Sequence, residues 1–425
     1  MKPRIFTDFE HLPEAYVHLF KDWGSHCFYY SVAWFRNFVQ NALDEGDQVR
    51  IYALESEEPA STPVVALATR HNTQTSGYFK SLRLSALSNY YTSAFGPVLQ
   101  HSGHEIREVV GELARAICSD TLEWDVVDLR PLDVDSPVFD ALVKAFQSEG
   151  MVVQTYFCFG NWYLQVQGQS YQRYFETLPA ALRNTLQRKR KKLEKLGRAR
   201  IEIITGPEGV EGAIEAYQKV YRSSWKVPEP YPFFTPGLIR RCAELGWLRL
   251  GLVYVDDEPV AAQFWIVNGA HATIYKLAHD ERFAELSAGS VLTARLMEHV
   301  IEVDKVQEVD FGSGDDPYKR TWLPQRRERW GMMALNPRTL HGILGIVRHI
   351  GGRAVKNSLR SLLRRRQNKR QGSGPDQAAA ESDLVSGLSA GLARPSRHSS
   401  VPLRWGPCAS DGWDPAAFSF PGVRK

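Results

Sequence analysis

The sequence predicts a mixed α/β protein built in two parts. Three observations carry this reading. Apolar runs of strand length alternate with amphipathic helices from the start of the chain to Leu335. A hairpin is written at Trp247–Val255 and Pro259–Asn268 about Asp256-Asp257. The stretch Ala272–Gly314 then reads as strand, irregular loop, helix and strand.

In the first part, Ser31–Leu43 has helical spacing, and Val49–Leu54 and Val64–Ala68 are strands across the turn-rich ESEEPASTP. Leu82–Leu87 is a third strand. His104–Cys118 is an amphipathic helix with Ile106, Val109, Val110, Leu113 and Ile117 on one face. Glu123–Leu129 is a strand, Ser136-Pro137 starts a helix, and Met151–Leu164 closes the part, giving a boundary at 165/166. In the second part Tyr174–Leu196 reads as one helix, with Pro179 in its first turn and Gly197 beyond its end. Strand Ile201–Thr205, helix Val210–Trp225, and a helix from Thr235-Pro236 to Gly246 follow. After the hairpin come strand Ala272–Ala278, strand Val306–Phe311, a turn or short helix over Asp315–Trp322, and strand Glu328–Leu335.

With 425 residues and a net charge of only +4, the chain has room for two cores and no global excess charge that demands a nucleic-acid partner. Its five cysteines are isolated, with no CxxC or Cys/His spacing, so no structural metal is expected. The opening MKPRIFTDFEHLPEAY has no apolar signal core, and no run approaches ~18 apolar residues. A cytoplasmic protein, at most peripheral to the inner membrane face, is expected.

The helix after the irregular loop opens on Ser287-Ala288-Gly289-Ser290 and buries Val291, Leu292, Leu296, Val300 and Ile301. The first four amides of a helix lack intrahelical partners, and small side chains let a phosphate reach them with the dipole in its favour. The simpler alternative makes Ser287 an N-cap and Gly289 a packing residue. A second anion-binding feature is the polar face of Tyr174–Leu196, where Arg183, Arg188, Lys189, Arg190, Lys191, Lys192 and Lys195 form a run with one acid, Glu194, between Arg183 and Lys195. Its simpler alternative is a solvated face.

The order of elements, with LRNTLQRKRKKLEKLG, LVYVDDEPVAAQFWIV, YKLAHDERFAELSAGSVL and VDFGSGDDPYKRTWLP, resembles the GNAT acyltransferase fold. About 170–335 is similar to the FemAB-related, BioF2-like acetyltransferase group, which includes CelD-like proteins of cellulose biosynthesis. FemAB-like proteins often hold two GNAT-type halves, so the resemblance implies tandem GNAT-like domains over 1–165 and 166–340. It also implies acetyl-CoA as acyl donor, with no metal, on the backbone of Ser287, Ala288, Gly289, Ser290, Val291 and Leu292. The general loop pattern Q/R-x-x-G-x-G/A is not met by Glu285–Ser290. The subgroup's S-P-G-like version is, with Ala288 at the Pro position.

Acyl transfer to an amine needs a polarised carbonyl, a base and close placement. Asp310 ends a strand beside the donor helix, and Asp315, Asp316, Tyr318 and Lys319 follow the flexible Gly312-Ser313-Gly314. The expected catalytic residues are Asp310, Asp315, Asp316 and Lys319; capping of the short helix is the alternative for Asp315 and Asp316. Arg183, Trp225, Tyr275 and Tyr318 are candidates for substrate binding, and core packing explains the aromatics equally well. The leading function is an acyl-CoA-dependent N-acyltransferase acting on a sugar-linked or envelope-precursor amine. The alternatives are a FemX-type aminoacyl transferase fed by tRNA and a non-catalytic accessory protein of polysaccharide synthesis. Basic residues without acids from Arg329 to Arg370 predict a terminal helix over 341–370, able to touch an anionic membrane. A disordered tail is expected over 371–425.

Overall fold

Elements form where apolar spacing and breakers dictate. The computed structural model describes residues 1–57, 62–76, 79–100 and 104–351. The first half runs β1 (Lys2–Phe6), α1 (Glu14–His26), α2 (Val32–Ala42), β2 (Gln48–Glu55), β3 (Pro63–Ser76), β4 (Phe79–Ala86) and β5 (Val98–Leu99). It continues with α3 (Ile106–Cys118), β6 (Val126–Asp133), α4 (Pro137–Ser148) and β7 (Val152–Gln165). The second half begins with α5 (Tyr171–Thr177), α6 (Ala180–Lys195), β8 (Ala199–Ile204), α7 (Val210–Arg222) and α8 (Phe234–Glu244). Strands β9 (Leu248–Val255), β10 (Glu258–Asn268) and β11 (His271–His279) lead to α9 (Ala288–Glu302). Last come β12 (Glu308–Asp310), α10 (Lys319–Trp322), β13 (Gln325–Leu335) and α11 (Leu340–Ile346).

The expected helix 174–196 is two helices. Pro179 disfavours helical geometry at the residue before it, and Leu178 is extended at ψ 149° between α5 and α6. Strand β1 and helix α1 carry no signal that the sequence reading picked up.

One mixed sheet runs through both halves in the order β1-β2-β3-β4-β6-β13-β7-β12-β11-β10-β9-β8, with β5 on β3. The boundary at 165/166 falls at the end of β7. That strand pairs with β13 from Val152↔Leu335 to Tyr163↔Gln325, and at Tyr163–Gln165 with β12. Strand β13 therefore lies between β6 and β7, inside the first half's sheet.

Period-two alternation splits the cores. Ala262, Phe264 and Ile266 of β10 join a core shared by α1, α2, α7 and α8, drawn from both halves. Phe234 stacks on Tyr91 at 4.0 Å and meets Trp34 edge-on at 5.5 Å, which ties those helices together. On the other face, Ala261, Trp265 and Val267 pack with α5, α6 and α9, while α3 and α4 cover the first half separately.

Helix α9 lies close on β9 because Gly251 has no side chain. A Cβ there would stand 2.8 Å from Leu292 Cδ1 and 2.9 Å from Leu296 Cδ1. Gly251→Ala is expected to destabilise the fold by about 1–3 kcal/mol through overpacking, measured as a lower denaturant midpoint. An unchanged midpoint would mean that the α9–β9 packing is looser than described.

No helix of the described residues is long and apolar enough to cross a membrane. Helix α11 and the π-turn after it expose Leu340, Ile343, Leu344 and Val347. The rest of the expected basic helix and the whole of the expected tail lie outside the described residues.

Candidate active site

The sheet opens between β11 and β12. These two strands are parallel and pair only at His271↔Glu308, Ala272↔Val309 and Thr273↔Asp310. Beyond that point β11 runs on to His279 while β12 stops, so the backbone parts and leaves a cleft of about 710 Å³ of empty space. Tyr275 is the extra residue of a bulge against β10, where Trp265 pairs with Ile274 and Phe264 with Lys276. Its hydroxyl donates to the Tyr91 carbonyl at 3.3 Å.

The chain after β12 turns back through Gly312 and Gly314, both at positive φ (62° and 107°). Lys319, 5% exposed, holds this turn from inside. Its ammonium donates to the Ser313 carbonyl at 2.5 Å, with those of Phe311 and Gly314 at 3.4 and 3.5 Å, and stands 3.6 Å from Asp316. Burial lowers its pKa, and the Asp316 and Asp310 charges oppose that shift. Lys319 is thus a clip on the loop as well as a cleft-lining residue.

The four acid–base candidates do not share one environment. Asp316 lines the cleft. Asp315 faces away: Arg326 holds it at 2.9 Å and the Trp162 indole donates to it at 2.9 Å. Asp310 is committed, accepting from Asn161 at 2.7 Å, from the Gly312 amide and from Arg327. Arg327 also binds Glu308 at 2.7 Å, so Asp310 belongs to the network that joins β7, β12 and β13. Neither Asp315 nor Asp316 caps α10, whose N-cap is Tyr318 without a side-chain cap bond.

Trp225, Tyr275 and Tyr318 all line the cleft; Arg183 does not, and donates instead to the Glu176 carbonyl. Sequence reasoning missed the wall supplied by the first half, made of Tyr29, Tyr90, Tyr91 and Ser93, and the lysines Lys226 and Lys276. Lys276 interrupts an apolar strand, a signal that a buried partner was needed; that partner is Glu229 at 2.7 Å. The tyrosines carried no such signal. Burial, with the Lys276 charge adding to it, pushes the Lys226 ammonium down to about 7.

The expected donor site adjoins this cleft through His279. Ser287 is left-handed (φ 53°, ψ 36°) and makes no side-chain cap. The α9 hydrogen bonds begin with the amides of Ser290 and Val291, both onto the Ser287 carbonyl at 3.0 and 3.2 Å, and the amides of Ala288 and Gly289 precede them. Buried Gln263 fastens this turn by donating to the Gly289 carbonyl at 2.8 Å and to Thr293 at 2.8 Å. The side chains of Ala288, Val291 and Leu292 point into the core. A Cβ on Gly289 would meet only His279, at 3.7 Å, and His279 packs on Trp225 with ring centroids 4.5 Å apart. Burial lowers the His279 pKa. Helix α6 flanks the same turn, with Lys189 donating to the Glu285 carbonyl and Lys192 at 3.5 Å from its carboxylate.

Residues 180–320 match the acetyltransferase (GNAT) domain family. The matched stretch runs from α6 through the turn at Ser287 to Arg320 in α10. No curated protein matches the chain. Among solved structures the chain is similar to FemX, with a TM-score of 0.57 over 81% of this chain and 99% of FemX at 9% identity. L-PGS from Bacillus licheniformis gives a TM-score of 0.44 over 72% and 89% at 11% identity. A tandem GNAT protein from the clavulanic acid biosynthesis pathway gives 0.42 over 79% and 99% at 12% identity. At 9% identity the likeness to FemX is one of fold, and within that fold residues 180–320 match the GNAT domain.

Proposed function

We propose that the chain is an acyl-CoA-dependent N-acyltransferase of the FemAB-related, BioF2-like group, moving an acyl group directly to an amine held in the cleft. The observation that carries this is the continuity from the α9 start through His279 and Trp225 into the cleft that Asp316 also lines. The donor turn fits a pyrophosphate: its first-turn amides precede the helical bonds and no side chain covers Gly289. Asp316 takes the proton that the acceptor ammonium must lose. The amine nitrogen then attacks the thioester carbonyl, and the sulfur leaves as the free thiol once protonated. Lys319 keeps the Asp316 loop in place. The acceptor belongs to a sugar or envelope precursor on the strength of the group resemblance alone. Titration with acetyl-CoA tests the reading, since specific binding raises the melting temperature by mass action. No shift at millimolar acetyl-CoA would sink it.

One observation favours a second reading, an aminoacyl-tRNA donor. The basic face of α6 lies against the turn that precedes the donor site. If that face binds a polyanion, affinity falls steeply with salt. Replacing Lys189, Arg190 and Lys191 with Gln is expected to flatten that slope by about 0.9 for each phosphate no longer neutralised, or about 0.7 on a single strand. Absence of tRNA binding at low salt removes this reading and leaves the face a solvated one.

A further inference from the structure

Helix α11 turns its apolar side outward. Thr339 caps it by accepting from the Gly342 amide at 3.0 Å. Its inner face is Gly342, Gly345 and Ile346. A Cβ on Gly342 would strike the Asn336 carbonyl, and one on Gly345 would stand 3.0 Å from Leu335 Cδ2, so the two glycines let the helix lie close on the end of β13. Ile346 packs with Val126, Met333 and Leu335 on the sheet. At about 100° per residue, Leu340, Ile343, Leu344 and Val347 then fall on the opposite side. They are 70%, 45%, 41% and 63% exposed. Aliphatic side chains exposed singly are ordinary, but four on one face within eight residues form a patch that calls for a cover.

Charge decides what that cover is. From Arg329 to Arg370 the sequence has eleven Lys or Arg and no Asp or Glu. Arg338 and Arg348, both exposed, flank the apolar stripe, and Arg353, Lys356 and Arg360 follow it in the sequence. A second copy of the chain seated on this face would bring two like-charged runs together, at a cost. A nucleic acid would answer the charge and leave the aliphatic stripe in water. An anionic bilayer answers both, taking the aliphatic side chains into the boundary between headgroups and acyl chains while the basic residues stay level with the lipid phosphates. We propose that α11 is an interfacial anchor by which the protein lies on an anionic lipid surface, with Leu340, Ile343, Leu344 and Val347 as the inserted face. Such an anchor is independent of the reaction in the cleft.

Sedimentation of the full chain with extruded vesicles tests this. Vesicles of equal parts phosphatidylglycerol and phosphatidylcholine are compared with vesicles of phosphatidylcholine alone. The chain is expected to bind the anionic vesicles about tenfold or more tightly, and to lose that preference as salt rises. Replacing Ile343 and Leu344 together with Ser is expected to weaken binding to the anionic vesicles by about tenfold or more, because each aliphatic side chain withdrawn from water adds to partitioning. Both side chains are exposed, so the melting temperature is expected to stay at that of the parent. Leu340→Glu, at the most exposed of the four positions, carries the same expectation by setting a negative charge against an anionic surface. Absence of binding to the anionic vesicles, equal binding to the neutral ones, or binding that survives these substitutions in folded protein would each overturn the proposal. So would a lipid-free dimer that the Ser substitutions dissociate, which would make the face a contact between copies, or RNA binding at low salt with no binding to vesicles.

Discussion

Asp316→Asn is expected to slow acyl transfer by on the order of 100- to 10,000-fold, the usual loss when a general base is removed. Asparagine keeps the shape of the side chain and its place in the cleft wall but cannot take a proton. A purely structural role predicts a different pattern. The side chain caps no helix; among the described residues it forms an ion pair with the Lys319 ammonium at 3.6 Å and its charge also favours the Lys226 ammonium. Loss of that charge lowers the melting temperature without the large fall in kcat. Release of the CoA thiol, followed beside thermal unfolding, separates the two. A rate near that of the parent, or a larger loss from Asp315→Asn, moves the base elsewhere.

Gly289→Glu is expected to abolish detectable acetyl-CoA binding while the protein stays folded. The position tolerates a side chain for packing: its Cβ would make only ordinary contact with His279 at 3.7 Å, and its backbone is helical. What the side chain removes is access. It would stand over the first-turn amides and bring a negative charge to the positive end of the helix dipole, where a phosphate is to sit. Calorimetry checks the affinity and circular dichroism the fold. Unchanged affinity in a folded variant would refute the donor assignment.

The start of α9 was legible in the sequence because its information is local. A 3.6-residue stripe from Val291 to Ile301 and four small residues before it specify a helix with an open start. The glycine-hinged loop was legible for the same reason, since Gly312 and Gly314 mark a turn beside a strand end. Other features were hidden because they depend on pairing between distant segments. Nothing near Tyr29 or Tyr90 announces that they wall a cleft opened by β11 and β12. The partners of Asp310 and Asp315 were equally concealed: both stand in the stretch at and after the end of β12, and Arg327 and Arg326 hold them. Leu178 was a missed local rule, because the residue before Pro179 had to leave the helix.

The placement of β13 between β6 and β7 bears on how the chain is made. Synthesis runs from the N-terminus, and domains commonly fold as they emerge. Here the first half cannot close its sheet when its own residues have left the ribosome, because β7 finds its long partner only once Leu335 is out. Until then β6 has a bare edge, and β7 has at most the short β12 beside it. Such edges are templates for pairing with another chain. The nascent protein must therefore hold its first half unfinished until β13 has been made, and that strand both completes that half and fixes the second half beside it.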